Sequence, residues 1–118
     1  MTKETLAAAL NVAYAVAGVD GFANEEAAVL AKELQSFNLS DEAAQEIIEM
    51  YTKMPVLKAL NIIAVADEDV RKEAHALVVY SCIADSASEK EIGAYTLVKH
   101  ICNLPDITVD EAKQILGF

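Results

Sequence analysis

Helix breakers and tight-turn residues are scarce in this chain. Its 118 residues include only 4 glycines and 2 prolines, so few positions can punctuate a run of short strands. β-branched runs bounded by turn signals are also missing, which argues against a sheet. The two cysteines, Cys82 and Cys102, are too few for a disulfide framework and lack zinc-ligand spacing, so they read as buried reduced thiols. Basic residues number 9 against 19 acidic ones, a net charge of −10. That balance lacks the cationic face that nucleic acid or an anionic membrane surface requires. No apolar run reaches the roughly 20 residues of a membrane span. There is no Gly-x-Ser-x-Gly nucleophile elbow, no phosphate-cradling glycine loop and no EF-hand ligand series.

Apolar residues are abundant, at 54%, and many of them are alanine, the strongest helix former. Such a chain cannot be disordered. It fits one domain, residues 1–118, and an all-α bundle. Residues 3–19 place Leu6, Leu10, Ala13 and Ala17 at helical spacing, with Tyr14 and Val16 widening the stripe and Thr2 as N-cap. Lys3 followed by the run from Leu6 to Ala17 resembles a secretory leader, but Glu4, Asn11 and a counterpart later in the chain favour a structural helix.

The chain pivots on Val19-Asp20-Gly21-Phe22-Ala23-Asn24-Glu25-Glu26, an acidic corner between two apolar helical runs. The same chemistry returns as Ala84-Asp85-Ser86-Ala87-Ser88-Glu89-Lys90-Glu91, at a constant offset of 65 (20 to 85, 26 to 91). Asn38-Leu39 and Asn103-Leu104 share that offset. Further helices are expected over 24–37, from 41 behind the cap Ser40 to before Pro55, over 55–66 with Pro55 as its first residue, and over 68–84. Two more follow capping boxes at Ser88–Glu91 and Thr108–Glu111. The expected architecture has about seven helices: two pseudo-symmetric three-helix units packed around a central helix. That central helix is 55–66, because Val56, Leu57, Leu60, Ile62, Ile63 and Val65 make it apolar nearly all round.

The doubled corner, Asp20-Gly21 then Asn24-Glu25-Glu26 then Asn38-Leu39-Ser40, resembles the TerB family, associated with tellurite resistance, across about residues 5–116. The resemblance implies an all-α, non-enzymatic binding module in a bacterial, cytoplasmic stress response. It also implies a divalent cation held by acidic residues, which by position are Asp20 and Glu26 in the first half and Asp85 and Glu91 in the second. Val19 replaces the family's alanine, and Ser86 replaces its glycine in the second corner.

On their own chemistry these carboxylates have two readings. Hard cations such as Ca2+ or Mg2+ take several oxygen ligands, which Asp20 and Glu26 could supply together with backbone carbonyls and water. Alternatively, Asp20 stabilises the turn while Glu25 and Glu26 answer the helix dipole. No catalytic constellation is evident. His75 and His100 read as surface or satisfied core groups, and Tyr14, Tyr51, Tyr80 and Tyr95 as packing residues. The run Asp67-Glu68-Asp69 reads as a solvated helix start, or as a dock for a basic partner. Two other readings stand beside the binding module. One is an adaptor that takes a partner helix on the apolar surface of 55–66. The other is a metal-dependent hydrolase using the same carboxylates with a histidine base. No nucleic-acid partner and no membrane insertion are expected.

Overall fold

The structure is a computed structural model that describes residues 2–18, 39–80 and 88–117. Among the described residues there are six α-helices and no strand. They are α1 (Lys3–Ala17), α2 (Asp41–Lys53), α3 (Val56–Ala64), α4 (Glu68–Val78), α5 (Glu89–Ile101) and α6 (Val109–Leu116). The all-α class is as expected. The helix expected over 24–37 lies outside the described residues, as do Asp20, Glu26, Cys82 and Asp85.

Local chemistry sets the helix starts. Hydroxyl oxygens of Thr2, Ser40, Ser88 and Thr108 accept from the backbone N–H groups of Thr5, Ala43, Glu91 and Glu111, at 3.1 to 3.2 Å. Each satisfies one of the donors that a helix leaves without an internal acceptor. At α6 the exchange is reciprocal, since the Thr108 N–H donates to Glu111 Oε1. Pro55 precedes α3 as its N-cap rather than serving as its first residue, and it has no side-chain oxygen to offer.

The end of α5 is also locally encoded. Asn103 sits in the left-handed region at φ 50°. The Leu104 N–H donates to the Lys99 carbonyl, and the Asn103 N–H to that of His100. This is a Schellman closure with asparagine at the position that glycine usually takes.

The innermost helix is α1. Leu6, Ala7, Ala8, Ala9, Leu10, Val12, Ala13 and Val16 are all buried, and α2, α3, α4 and α5 pack around it. Alanine permits this, because a side chain of one carbon lets neighbouring helices approach from several directions. Ile47 of α2, Ile63 of α3, Leu77 and Val78 of α4, Cys102, and Ala112 and Leu116 of α6 complete the core.

The expectation that 55–66 is the buried central helix is corrected. Ala59 and Ile63 face the core, but Leu57 is 81% exposed and Val65 75%. Apolar composition cannot say whether neighbours surround a helix. Here α1, α4 and α5 take the inner side of α3, and its outer side meets solvent. In α5, Ile92 and Ile101 are about half exposed, while Tyr95 and Val98 pack against the core.

Candidate functional site

Of the four carboxylates proposed for metal, only Glu91 is described. It occupies the third position of α5, is buried, and its backbone N–H donates to Ser88 Oγ. The first turn of a helix suits a negative side chain, so Glu91 has a structural explanation in its own helix. Among the described residues no group of three or more His, Cys, Asp or Glu side chains comes together in a way that would hold a metal ion.

The polar cluster that the structure does assemble was not visible in the sequence. His75 lies on α4, wholly buried. Its Nδ1 lies 2.6 Å from the Pro105 carbonyl oxygen and its Nε2 2.5 Å from the Tyr95 hydroxyl. A carbonyl can only accept, so Nδ1 carries the proton and Nε2 accepts from Tyr95. Burial holds the imidazole below its usual pKa, while the Pro105 carbonyl pulls the other way. One turn earlier, Arg71 Nη1 donates to the Asn103 carbonyl at 2.7 Å. Arg71 and His75 thus reach from one face of α4 to the loop after α5. Lys99 of α5 pairs with Asp106 of the same loop. Both imidazole nitrogens are engaged in this junction, which leaves neither to act as a base.

Cys102 is a buried free cysteine. Its thiol donates to the Leu60 carbonyl at 3.5 Å, and burial raises its pKa. A thiol kept protonated this way is a poor nucleophile. His100 is exposed beside an open depression of about 470 Å3 lined also by Thr96, Lys99, Asn103 and Leu104. Tyr14 and Tyr51 stack with ring centroids 5.1 Å apart, and burial raises the Tyr51 pKa, with the Tyr14 hydroxyl adding to it.

The second feature is the outer surface at the junction of α2 and α3. Met50, Val56 and Leu57 are exposed there, and Val65 is exposed at the far end of α3, as its C-cap. Beside the first three runs a shallow groove of about 190 Å3 lined by Glu4, Met50, Lys53, Met54, Pro55 and Lys58. The turn between the helices is held from beneath by Asn11. Its Nδ2 donates to the carbonyls of Tyr51 and Met54, at 2.9 and 2.7 Å. Exposed leucine and valine at helical spacing could be read from the sequence, but only as part of a continuous apolar pattern that looked like core.

No family model matches the chain, and no curated protein matches it. Among solved structures, the fold is similar to that of a protein of unknown function from Porphyromonas gingivalis W83. The TM-score is 0.83 at 22% identity, over 99% of this chain and 96% of that one. At that identity the likeness concerns the fold alone. No helix among the described residues is long and apolar enough to cross a membrane.

Proposed function

We propose that this chain is a non-enzymatic binding module of TerB-like type that docks a protein partner on the outward side of α3. The observation that carries this reading is the exposure of Leu57 and Val65, at 81% and 75%, on a helix whose other side is core. Exposed Val56 precedes Leu57, and exposed Met50 lines the groove beside Pro55; clustered exposed apolar side chains mark interaction surfaces more often than isolated ones do. The state of His75 and Cys102 supports a non-catalytic role, since one has both nitrogens engaged and the other is a buried neutral thiol.

The finer architecture belongs to the same proposal: seven helices in two pseudo-symmetric units. It is supported by the 65-residue offset in sequence and by parallel packing, in which α1 lies against α2 as α4 lies against α6. A divalent cation at Asp20 and Glu26, and at Asp85 and Glu91, remains part of the TerB-like reading, together with a cytoplasmic stress role in a bacterium.

Two experiments test these points. A photo-crosslinking side chain placed in turn at 57, 61 and 113 should give an adduct with one identifiable protein at 57 and 61 and none at 113. No adduct, or the same adduct at all three positions, would end the docking reading. Calorimetric titration with Ca2+, Mg2+, Mn2+ and Zn2+ on the parent and on Asp20→Ala should give heat that the variant loses. No heat from any of the four would remove the metal.

A further inference from the structure

We infer that α5 is a self-association face: two copies of this chain pair antiparallel through it, each seating its Ile92 in a hollow of the other. This face lies on a different helix from the docking surface above and does not depend on that reading. α5 is apolar on two sides. Tyr95 and Val98 pack against the core, while Ile92, Leu97 and Ile101 are 49%, 61% and 49% exposed. The hollow is the open depression of about 470 Å3 beside His100. Its walls are Thr96, Lys99, His100 and Asn103, with Leu104 also lining it. The four wall residues stand at i, i+3, i+4 and i+7, the last in the turn that closes the helix. Residues at that spacing form the hole that receives one side chain of a facing helix.

The side chain that fits this hole stands on the same helix. Ile92 lies one turn before Thr96, on the ridge that continues to His100. A second α5 running the other way brings the partner's Ile92 over the hollow, while the partner's hollow receives Ile92 in return. One contact made twice about a two-fold axis closes the assembly at two copies. Gly93 lies beside Ile92 and one turn before Leu97, and it is exposed. Glycine weakens a helix interior, and nothing within the chain calls for it here. Its φ is not positive, and no atom among the described residues lies within 4 Å of where a Cβ would stand. A facing helix supplies the reason, because the missing side chain lets the second backbone approach closely.

Charge selects the antiparallel arrangement. α5 has Glu89 and Glu91 in its first turn and Lys99 and His100 in its last. Parallel copies would set acid against acid and align the two dipoles. Antiparallel copies set each acidic start beside the basic end of the other helix. Lys99 is shared with Asp106, so the exposed imidazole of His100 is the group left to meet the partner's Glu89, one turn before Ile92. The net charge of −10 opposes any pairing of copies. Residues 92–105, however, contain no aspartate or glutamate, so the repulsion comes from groups around the contact. At physiological salt such charges are largely screened beyond about 8 Å. A contact confined to one helix pair lies at the small end of interface size, below roughly 1,200 Å2 in total. The dimer is therefore weak and fills only at high protein concentration.

Sedimentation equilibrium of the full chain at about 0.15 M salt, from roughly 10 µM to 1 mM protein, should show monomer and dimer in exchange. Ile92→Lys aims a cation at the partner's Lys99 and His100, and Gly93→Leu fills the gap. Each should weaken the dimer about tenfold or more, with circular dichroism confirming the fold, while Leu57→Asp leaves it unchanged. Disulfide trapping with oxidised glutathione sets the direction. Ile92→Cys/His100→Cys should give a covalent dimer, because positions two turns apart on one helix are roughly 12 Å apart, too far to join within a copy. Neither single variant should do so, and nor should the parent with its own Cys82 and Cys102. Cross-linking by Ile92→Cys alone would overturn the antiparallel arrangement. A dimer lost in Leu57→Asp but kept in Ile92→Lys would overturn the assignment to α5. A chain that stays monomeric throughout would overturn self-association, and leave docking on α3 to its own test.

Discussion

The Tyr95 hydroxyl donates to Nε2 of His75, and the two rings stack at an interplanar angle of 28° with centroids 5.5 Å apart. Because Nδ1 is committed to the Pro105 carbonyl, this contact fixes the tautomer of a buried histidine that joins α4, α5 and the loop between α5 and α6. Adding a proton at Nε2 forces Tyr95 to stop donating and places a cation in the interior. Lys99 opposes that charge and Asp106 favours it, but burial is the largest effect, and the pKa falls below the ordinary 6.5.

The pH dependence follows in sign. The unfolded chain takes up the His75 proton at higher pH than the folded one, so stability rises with pH across this window. It is complete above about pH 6.5 and declines as pH falls toward the lower folded value. Urea unfolding between about pH 5 and 7 should show a slope of up to roughly 1.4 kcal/mol per pH unit. His75→Gln should flatten it. The Asp106 carboxyl, held below its ordinary 3.8 by Lys99, loses its contribution only in stronger acid, so the two effects separate. An unchanged slope in His75→Gln would mean that another group controls acid sensitivity.

Asn11 gives a prediction with two opposite substitutions. Its amide nitrogen serves the carbonyls of Tyr51 and Met54, and its own oxygen Oδ1 is buried without a hydrogen-bond partner. Asn11→Ala strips two acceptors of their donor and should cost about 2 to 4 kcal/mol in urea unfolding. Asn11→Asp keeps the shape but points a carboxylate at two carbonyl oxygens. It should be worse than alanine at neutral pH. On acidification the gap between the two variants should narrow, because a protonated carboxyl can donate once again. If the aspartate variant matched the parent at pH 7, the amide would not be the group holding the α2–α3 turn.

The elements that were legible in the sequence were those encoded by neighbours along the chain. Thr2, Ser40, Ser88 and Thr108 each announced a helix start, and Leu6, Leu10 and Ala13 lay at helical spacing; all did in the fold what local chemistry required. What could not be read was which helix is enclosed. The alanine-rich α1 and the leucine- and isoleucine-rich α3 both look like core helices. Only the placement of neighbours makes α1 the interior and leaves Leu57 in water. His75 and Tyr95 are 20 positions apart, and Asn11 and Met54 are 43 apart. No local pattern links such pairs, so the junction at His75 and the brace under α3 appear only once the chain is folded. Asp20, Glu26 and Asp85 lie outside the described residues, so the acidic corners rest on the sequence pattern.

The alanines of α1 should resist enlargement. Ala9 is fully buried on a helix with neighbours on several sides. Ala9→Leu keeps helix propensity nearly constant but adds three carbons where packed helices leave no room. It should destabilise by about 1 to 3 kcal/mol or more. Ala15→Leu, on the exposed part of the same helix, should stay within about 0.5 kcal/mol of the parent. Thermal and urea unfolding of the two variants compare sites that differ in burial but not in helix or substitution. Equal costs would mean that α1 is not enclosed.

The same logic separates the two sides of α3. Ile63 is 1% exposed and Leu57 is 81% exposed, six positions apart on one helix. Ile63→Ala removes methyl groups from the core and leaves a cavity, at a cost of about 2 to 5 kcal/mol. Leu57→Ala removes apolar surface that already meets water and should change stability by about 0.5 kcal/mol or less. Its effect should appear in association instead, as lost cross-linking from position 61 by a protein that unfolds at the same urea concentration as the parent. A large stability loss in Leu57→Ala would place that side chain inside the monomer. It would restore α3 as a buried central helix and remove the surface on which docking depends.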